Sequence, residues 1–475
     1  MATANSNRID TKRRKLLKAI AAMPAIGGVS MMGAPVPVAQ AQAAANCGPR
    51  SLVCIFLAGG ADSFNMFIPG GARFDDYQRV RSNLAVSEAN LIEDSDARVG
   101  AIAFNSMIDS IADLYSENRL AVIANCGPLI RPTTQQDYLA GISLPQSLFA
   151  HDAQQRLWQN GGGSVASSAG IGWGGRIADY AARCNPGAEV TPAFSISGTN
   201  LWQSSINTDY ITLRALVPVR NMDGYNNISD WIPADRLSRI SRALVAGNSD
   251  AVGRSPFRME QEVGGAYEGA VTATTNLRSA IDNNPVSDFR FDSTNRLAGQ
   301  LHYVAQLIAA REELGMQQQV FFVRMGGWDT HSEQLGRLPA LLSEFNDAIR
   351  GFQQAIDGMR KSDSVTSFTS SDFGRTLTSN GDGTDHGWGG HAFVFGGAVD
   401  GGQVIGTLPD YSATNNADDT GDQSGQFAGR LIPTISVSQY GATIARWMGV
   451  PESDIPGLFP DLANFSVSDL GFMRA

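Results

Sequence analysis

Continuous apolar runs recur along this chain, and each is followed by glycine, asparagine, serine or aspartate. The run at residues 51–57 reads Ser-Leu-Val-Cys-Ile-Phe-Leu, and comparable runs lie at 120–124, 320–325 and 365–369. A strand with one solvated face alternates apolar and polar residues, whereas a strand buried on both faces is apolar throughout. The pattern therefore predicts buried strands of a parallel sheet.

Helical periodicity fills the intervals between these runs. Residues 295–314 and 335–359 repeat apolar side chains at the spacing of one helix face, and residues 440–448 predict a last covering helix. Strands that alternate with helices indicate an α/β fold. We predict a doubly wound, mostly parallel sheet with helices on both faces.

Two stretches depart from this rhythm. Residues 199–290 are polar and rich in turn-forming residues, which predicts an inserted cap region. Residues 408–430 form an acidic loop, for which we consider both a solvated surface and a calcium site tied to surface attachment.

The first 45 residues have the order of an export signal. Arg13 and Arg14 precede Leu16-Leu17-Lys18, an apolar stretch runs to Val38, and small residues alternate at 39–43. The paired arginines resemble the twin-arginine pattern, although Lys12 and Leu16 replace its usual Ser and Phe. The apolar stretch is too weak for a membrane span. We predict a twin-arginine signal peptide at 1–45, export through the twin-arginine translocase and a periplasmic or secreted mature domain at 46–475.

Composition narrows the class of protein further. Hydrophobic residues make up 43% and charged residues 17% of the chain, so a packed core is expected. The net charge of −10, without a basic patch, argues against nucleic acid as a partner. The four cysteines match no zinc-binding spacing, and a disulfide is permitted outside the cytoplasm, with its pairing left open.

Three candidate site residues, all aspartates, follow the ends of predicted strands. Asp62, Asp329 and Asp372 each follow an apolar run and have glycine nearby. In open parallel sheets, ligands bind at the carboxyl ends of the strands. Clustered carboxylates repel each other unless a cation compensates, so their convergence favours a cation site.

Histidine usage supports this interpretation. Of five histidines, His302 lies in a predicted amphipathic helix, and the other four, His151, His331, His386 and His391, lie in polar or glycine-rich motifs. Imidazole and carboxylate ligands suit zinc, and manganese or iron also fit. The alternative is a set of capping aspartates and hydrogen-bonded loop histidines.

Two further side chains are candidates for catalysis. Arg375 is placed to clamp an oxyanion or to pair with Asp372. His151 lies in the stretch 148–155, before Trp158, which predicts the start of a helix with His151 at its N-terminus, a natural site for an anion.

These motifs together resemble one bacterial family, the proteins with domain of unknown function 1501. The matching stretches lie at 56–62, 150–158, 172–176, 326–331, 371–376, 383–387 and 396–397. Members commonly carry twin-arginine signals. The family resembles the alkaline phosphatase and sulfatase superfamily, whose members bind one or two divalent metal ions.

The resemblance implies site roles residue by residue. Asp62 and Asp372 would serve one metal ion, while Asp329 and His331, with His386 or His391, would serve a second. His151 would act as an acid or base, and Arg375 would hold the anion. The sequence departs from the pattern at Ala150, where relatives often have Ser, and at Phe373, where the superfamily has a ligand.

Two functions follow as hypotheses. The first is an exported metal-dependent hydrolase of phosphate or sulfate esters, acting on a small anionic ester. The second, favoured by Ala150 and Phe373, is a non-catalytic binding or assembly protein with a cell-envelope partner, built on a degenerate version of the same fold.

Overall fold

The fold is taken from a computed structural model, which describes residues 47–93, 102–164, 170–213, 273, 275–286, 294–414, 416–421 and 427–474. The predicted signal peptide at 1–45 and most of the predicted cap region at 199–290 lie outside these residues.

The described residues form fourteen strands and a set of helices. The strands are β1 Arg50–Leu57, β2 Phe67–Pro69, β3 Leu91–Glu93, β4 Ile102–Asn105, β5 Leu120–Gly127, β6 Ala193–Ser195, β7 Ile211–Thr212, β8 Gln318–Met325, β9 Val365–Ser371, β10 Arg375–Ser379, β11 Thr384–His386, β12 Gly390–Gly396, β13 Gln403–Ile405 and β14 Ile435–Ser436. The helices used below are α1 Ala72–Arg81, α2 Asp109–Ser116, α3 Gln135–Leu139, α4 His151–Asn160, α5 Trp173–Arg183, α6 Arg296–Ala309, α7 Gln334–Gly358, α8 Val437–Trp447 and α9 Ile455–Leu458.

Nine strands form one mixed, mostly parallel sheet. The order is β13-β5-β12-β9-β1-β8-β6-β7, with β14 paired to β5 as well. β12 is antiparallel to both of its neighbours, while the other pairings in this sheet are parallel. The predicted α/β fold is therefore confirmed, and the four apolar runs of the sequence are β1, β5, β8 and β9.

Both faces of the sheet are covered by helices, as predicted. Along β1, Val53 and Ile55 lie in the core that α2, α6 and α7 cover, whereas Cys54 and Phe56 lie in the core that α5 and α8 cover. Full burial of each large apolar side chain contributes about 1.5–3 kcal/mol. This two-sided burial explains why the strand sequences are apolar throughout.

The strands that carry the candidate aspartates are immediate neighbours. β1 lies between β8 and β9, and all three run in the same direction. The segments that follow Leu57, Met325 and Ser371 therefore emerge at one edge of the sheet.

Residues 199–213, at the start of the predicted cap region, belong to the body of the fold. Trp202 is 1% exposed and packs edge-on against Trp173 of α5. Ile211–Thr212 extends the sheet as its edge strand β7. Within the described residues, no helix is both long and apolar enough to cross a membrane.

A disulfide joins Cys47 to Cys184, 137 residues apart, while Cys54 and Cys126 are free and buried. It ties the segment before β1 to the end of α5. A disulfide is consistent with an exported protein, because oxidising compartments allow it to persist.

Removal of this disulfide is expected to cost stability. The variant Cys47→Ala/Cys184→Ala should lose about 2–4 kcal/mol of unfolding free energy in guanidinium denaturation, since the crosslink restricts the unfolded chain. Reductant should destabilise the wild type and leave the variant unchanged. Equal stability of the two proteins under oxidising conditions would show that the crosslink contributes nothing.

Candidate metal centre

Three ligand groups converge at the edge of the sheet that the aspartate-bearing strands reach. The ligand atoms of His151, Asp329 and His386 all lie within 4.8 Å of one another. His331 joins them, with its Nε2 atom 3.2 Å from Asp329 Oδ1 and 2.6 Å from His386 Nε2. Four of the residues predicted from the sequence therefore form one cluster.

Glycines allow the loops of this cluster to approach closely. Gly59 has φ +122°, and a Cβ atom there would lie 2.4 Å from the backbone nitrogen of Asp329. A Cβ atom on Gly383 would lie 2.2 Å from the Thr330 carbonyl oxygen. The glycines that flank the motifs thus serve close backbone packing, which the sequence predicted.

Each histidine is held by its Nδ1 atom, so that Nε2 faces the cluster. His151 Nδ1 donates to Asp372 Oδ2 at 2.6 Å, and His386 Nδ1 donates to the Phe149 carbonyl oxygen at 2.6 Å. His331 Nδ1 lies 3.3 Å from Asp385 Oδ1. An acceptor at Nδ1 fixes the tautomer and leaves the Nε2 lone pair free, which is the arrangement around metal-bound histidines.

The Nε2 atoms of His331 and His386 are in direct contact. Both rings donate from Nδ1, so their Nε2 atoms would meet lone pair to lone pair at 2.6 Å. A proton shared between them removes this repulsion at the observed distance, and a metal ion bound by both would remove it with the two nitrogens about 3.3 Å apart. Burial lowers the pKa of His386 and outweighs the hydrogen bond to the Phe149 carbonyl, which raises it, while the charges of His151, Arg375 and His331 lower it as well.

Asp372 orients His151 and does not join the ligand set. Its side chain is fully buried and accepts from His151, from Gln155 Nε2 at 2.8 Å and from the Gly59 backbone N–H at 3.0 Å. Its oxygens are therefore occupied by protein donors.

Arg375 holds Asp329 in place. Its buried guanidinium donates to Asp329 Oδ1 at 2.9 Å, to the Gly59 carbonyl at 3.3 Å and to both oxygens of Thr384. Partial burial raises the pKa of Asp329, but the hydrogen bond and charge of Arg375 outweigh it and keep the pKa below its ordinary value. Asp329 is therefore a carboxylate at neutral pH, and its Oδ2 atom faces His151.

Asp62 is not among the grouped ligand atoms. It is fully buried, forms an ion pair with the buried Arg81 of α1 and accepts from Gln334 Nε2. Gln334 and Arg375 both bond to Thr384 Oγ1, so Asp62 supports the centre through a hydrogen-bond network. Both oxygens of Asp372 and the Oδ2 atom of Asp62 have protein partners, whereas Asp62 Oδ1 is buried without one among the described residues. The ligand cluster itself contains neither carboxylate, so the structure does not show the two-metal arrangement that the resemblance implies.

His391 also lies apart from the cluster. Its ring packs edge-on against Phe64 and Phe67, Nδ1 accepts from the Asn125 backbone N–H at 3.2 Å, and Nε2 lies 3.3 Å from the Tyr411 hydroxyl. Burial lowers the pKa of His391 to about 3, so the ring is neutral in the folded protein.

This burial predicts a dependence of stability on pH. The folded pKa of about 3 lies below the ordinary 6.5, so between these values the unfolded chain binds the proton first. Stability is thus retained above pH 6.5 and lost as pH falls, at up to about 1.4 kcal/mol per pH unit from this group. Urea denaturation of chelator-treated protein between pH 6 and 4 should show a shallower loss for His391→Asn than for the wild type, and parallel curves would contradict this.

Phe373 packs against two of the imidazoles. Its ring is 2% exposed, and its centroid lies 4.8 Å from that of His151 and 4.5 Å from that of His386. An apolar ring in contact with both imidazoles offers no ligand to a second ion on that side.

The sequence interpretation missed the groups that orient the histidines. Asp385 directly precedes His386, and Gln155, which donates to Asp372, lies four residues after His151 in the 150–158 stretch, so both had a signal in the sequence, whereas the Phe149 carbonyl had none.

In the acidic loop, Asp418 accepts from the Asp410 backbone N–H and Asp419 from those of Gly421 and Ala428. These carboxylates serve the backbone of the loop, and residues 415 and 422–426 lie outside the described chain.

Comparisons with known proteins agree with the sequence motifs. The family model described as "Protein of unknown function (DUF1501)" matches residues 49–423. No curated protein sequence matches the chain significantly. The family description assigns no activity.

Solved structures similar to this chain include sulfatases. PsFucS1 sulfatase from Pseudoalteromonas sp. is 10% identical at a TM-score of 0.35, over 93% of this chain and 78% of that chain. The structure of Ps i-CgsB is 9% identical at a TM-score of 0.29, over 88% and 77%. A 2-O GAG sulfatase is 10% identical at a TM-score of 0.28, over 85% and 72%.

Proposed function

This chain belongs to the DUF1501 family, and we propose that it is an exported, single-metal hydrolase of phosphate or sulfate esters. One observation carries the proposal: three histidines fixed through Nδ1 direct their Nε2 atoms toward one carboxylate at the edge of the sheet. Such an arrangement suits a divalent ion better than it suits three hydrogen-bonded loop histidines.

The donor set fits a single borderline metal ion. His151, His331, His386 and Asp329 offer three imidazole nitrogens and one carboxylate oxygen, which suit zinc, with manganese and iron as alternatives. The net charge of the neighbouring side chains also suits a bound cation. Three carboxylates, Asp329, Asp372 and Asp385, lie in or beside the centre, against the guanidiniums of Arg375 and Arg430.

Exposure distinguishes this centre from a purely structural one. The side chain of Asp329 is 46% exposed and that of His331 is 41% exposed, so a small ester can reach the ligand side. When bound, a divalent ion activates water and polarises a phosphoryl or sulfuryl oxygen. Asp372 orients His151, and Arg375 keeps Asp329 ionised and in position.

Residue 150 bears on the choice of nucleophile. Ala150 precedes His151 at the start of α4 and supplies no hydroxyl, and Ser147 is exposed, with its backbone carbonyl bonded to Gln154. The proposed reaction therefore uses water directly rather than a serine ester intermediate.

Two observations support export of this protein. The first 45 residues follow the twin-arginine pattern, and a disulfide joins Cys47 to Cys184. A route that exports folded proteins would deliver the centre with its metal already bound. We propose a periplasmic or secreted location for the mature protein.

Ala150 and Phe373 also favour a second candidate, a non-catalytic exported binding protein in which the metal is structural. A substrate screen separates the two. Metal-loaded protein is assayed on 4-nitrophenyl phosphate and 4-nitrophenyl sulfate, with Asp329→Ala as the matched control. Turnover that rises with metal content and disappears in the control supports the hydrolase, whereas a loaded centre without turnover on esters of either class supports the binding protein.

A further inference from the structure

From the sequence, Arg375 was predicted to hold the substrate anion. In the structure, its guanidinium instead forms hydrogen bonds with protein oxygens. Its side chain is fully buried, and its hydrogen bonds go to Gly59, Asp329 and Thr384. A guanidinium committed to protein oxygens cannot also bind a substrate oxyanion without releasing Asp329. The proposed hydrolase therefore needs another cation.

Arg430 lies beside the centre with its guanidinium available. It is half-buried, and its Nε atom donates to the His386 backbone carbonyl at 3.1 Å. Its positive charge also helps to lower the pKa of Asp385, the partner of His331. Within the described part of the chain, neither of its Nη groups donates a hydrogen bond to the protein.

Phe149 fixes Arg430 and His386 relative to each other. The Arg430 guanidinium carbon lies 5.0 Å from the centroid of the Phe149 ring, while the Phe149 carbonyl accepts from His386 Nδ1. Phe149 has φ +70°, a left-handed conformation that is costly for a bulky residue. Such conformations persist where the surrounding structure enforces them, and they cluster at ligand sites.

We propose that Arg430 binds the oxyanion of the substrate, with its two Nη groups on non-bridging oxygens of a phosphate or sulfate group. The inference rests on the proposed function and assigns the recognition of the anion within it. A planar guanidinium held over an aromatic ring is preorganised for two parallel hydrogen bonds to such a group.

The local charges make anion binding depend on the metal. With neutral imidazoles, the carboxylates of Asp329, Asp372 and Asp385 exceed the guanidiniums of Arg375 and Arg430 by one negative charge. A bound divalent ion reverses this sign, so phosphate should bind to the loaded protein and only weakly to the metal-free one.

Calorimetric titration with inorganic phosphate and with inorganic sulfate tests the assignment on metal-loaded protein. Arg430→Gln is expected to raise the Kd about 10- to 100-fold, the range for loss of a charged hydrogen-bond donor, while the metal content stays at the wild-type value. Arg183→Gln is the matched control, because its guanidinium carbon also lies over an aromatic ring, 4.7 Å from the centroid of Tyr180.

The outcomes separate this inference from the proposed function. Weaker anion binding in Arg430→Gln, at unchanged metal content, supports the assignment even if no ester is turned over. Equal anion affinity in the wild type and Arg430→Gln, or no anion binding by the metal-loaded wild type, overturns the assignment of Arg430. If the metal-loaded wild type still hydrolyses esters in that case, the hydrolase proposal stands without it.

Discussion

Replacing His386 by Ala should abolish tight metal binding. His386 Nε2 lies 2.6 Å from His331 Nε2 and 3.6 Å from Asp329 Oδ1, so its imidazole is in contact with two other members of the ligand set. Loss of a residue that merely orients a ligand costs about 10- to 100-fold in metal affinity. Loss of the ligand itself should exceed this, and competition with a chromophoric chelator would measure it.

His302→Gln is the matched control for this variant. His302 lies in α6 and is not part of the ligand cluster. The His302→Gln variant should therefore bind metal with the affinity of the wild type. The far-ultraviolet circular dichroism of His386→Ala should remain that of the wild type, because the side chain is partly exposed. Retention of wild-type metal affinity by His386→Ala would remove His386 from the centre.

Asp372→Asn should have the second large effect, through the tautomer of His151. The carboxylate accepts from His151 Nδ1 and Gln155 Nε2 with the same oxygen. An amide there turns its NH2 group either toward His151 and Gln155 or toward the Gly59 backbone N–H, which donates to the other oxygen. In either orientation His151 loses its charged acceptor, so we expect its proton to move to Nε2 and its lone pair toward the centre to be lost. We expect a loss of about 10- to 100-fold in metal affinity, with an equal or larger loss of ester turnover.

Asp152→Asn is the control, since Asp152 belongs to the same helix with a side chain 77% exposed. Nuclear magnetic resonance of the imidazole nitrogens reports the tautomer directly. An unchanged His151 tautomer in Asp372→Asn, together with unchanged metal affinity, would show that Asp372 has only a structural role.

The sequence was sufficient to predict the sheet and the edge where the cluster lies. Apolar runs identified β1, β5, β8 and β9, and the glycines around Asp329 and Asp372 indicated close backbone approach. Neighbouring parallel strands then placed the residues after them at one edge. This part of the prediction depended on local pattern, which a sequence displays.

The division of roles among the candidates depended on contacts that a sequence does not display. Asp62 is neutralised by Arg81, which α1 brings from outside the strand-end motifs. His391 resembles His386 in its glycine-rich surroundings, yet the aromatic rings of Phe64 and Phe67 bury it. Identical residue types in similar motifs thus acquire different chemistry from their three-dimensional neighbours.

Elemental analysis of the protein purified after export tests the central claim most directly. We predict close to one equivalent of zinc, manganese or iron per chain in the wild type, and loss of that metal in Asp329→Ala/His331→Ala. The absence of these metals from the wild type, or an equal content in wild type and variant, would contradict a metal centre formed by this cluster.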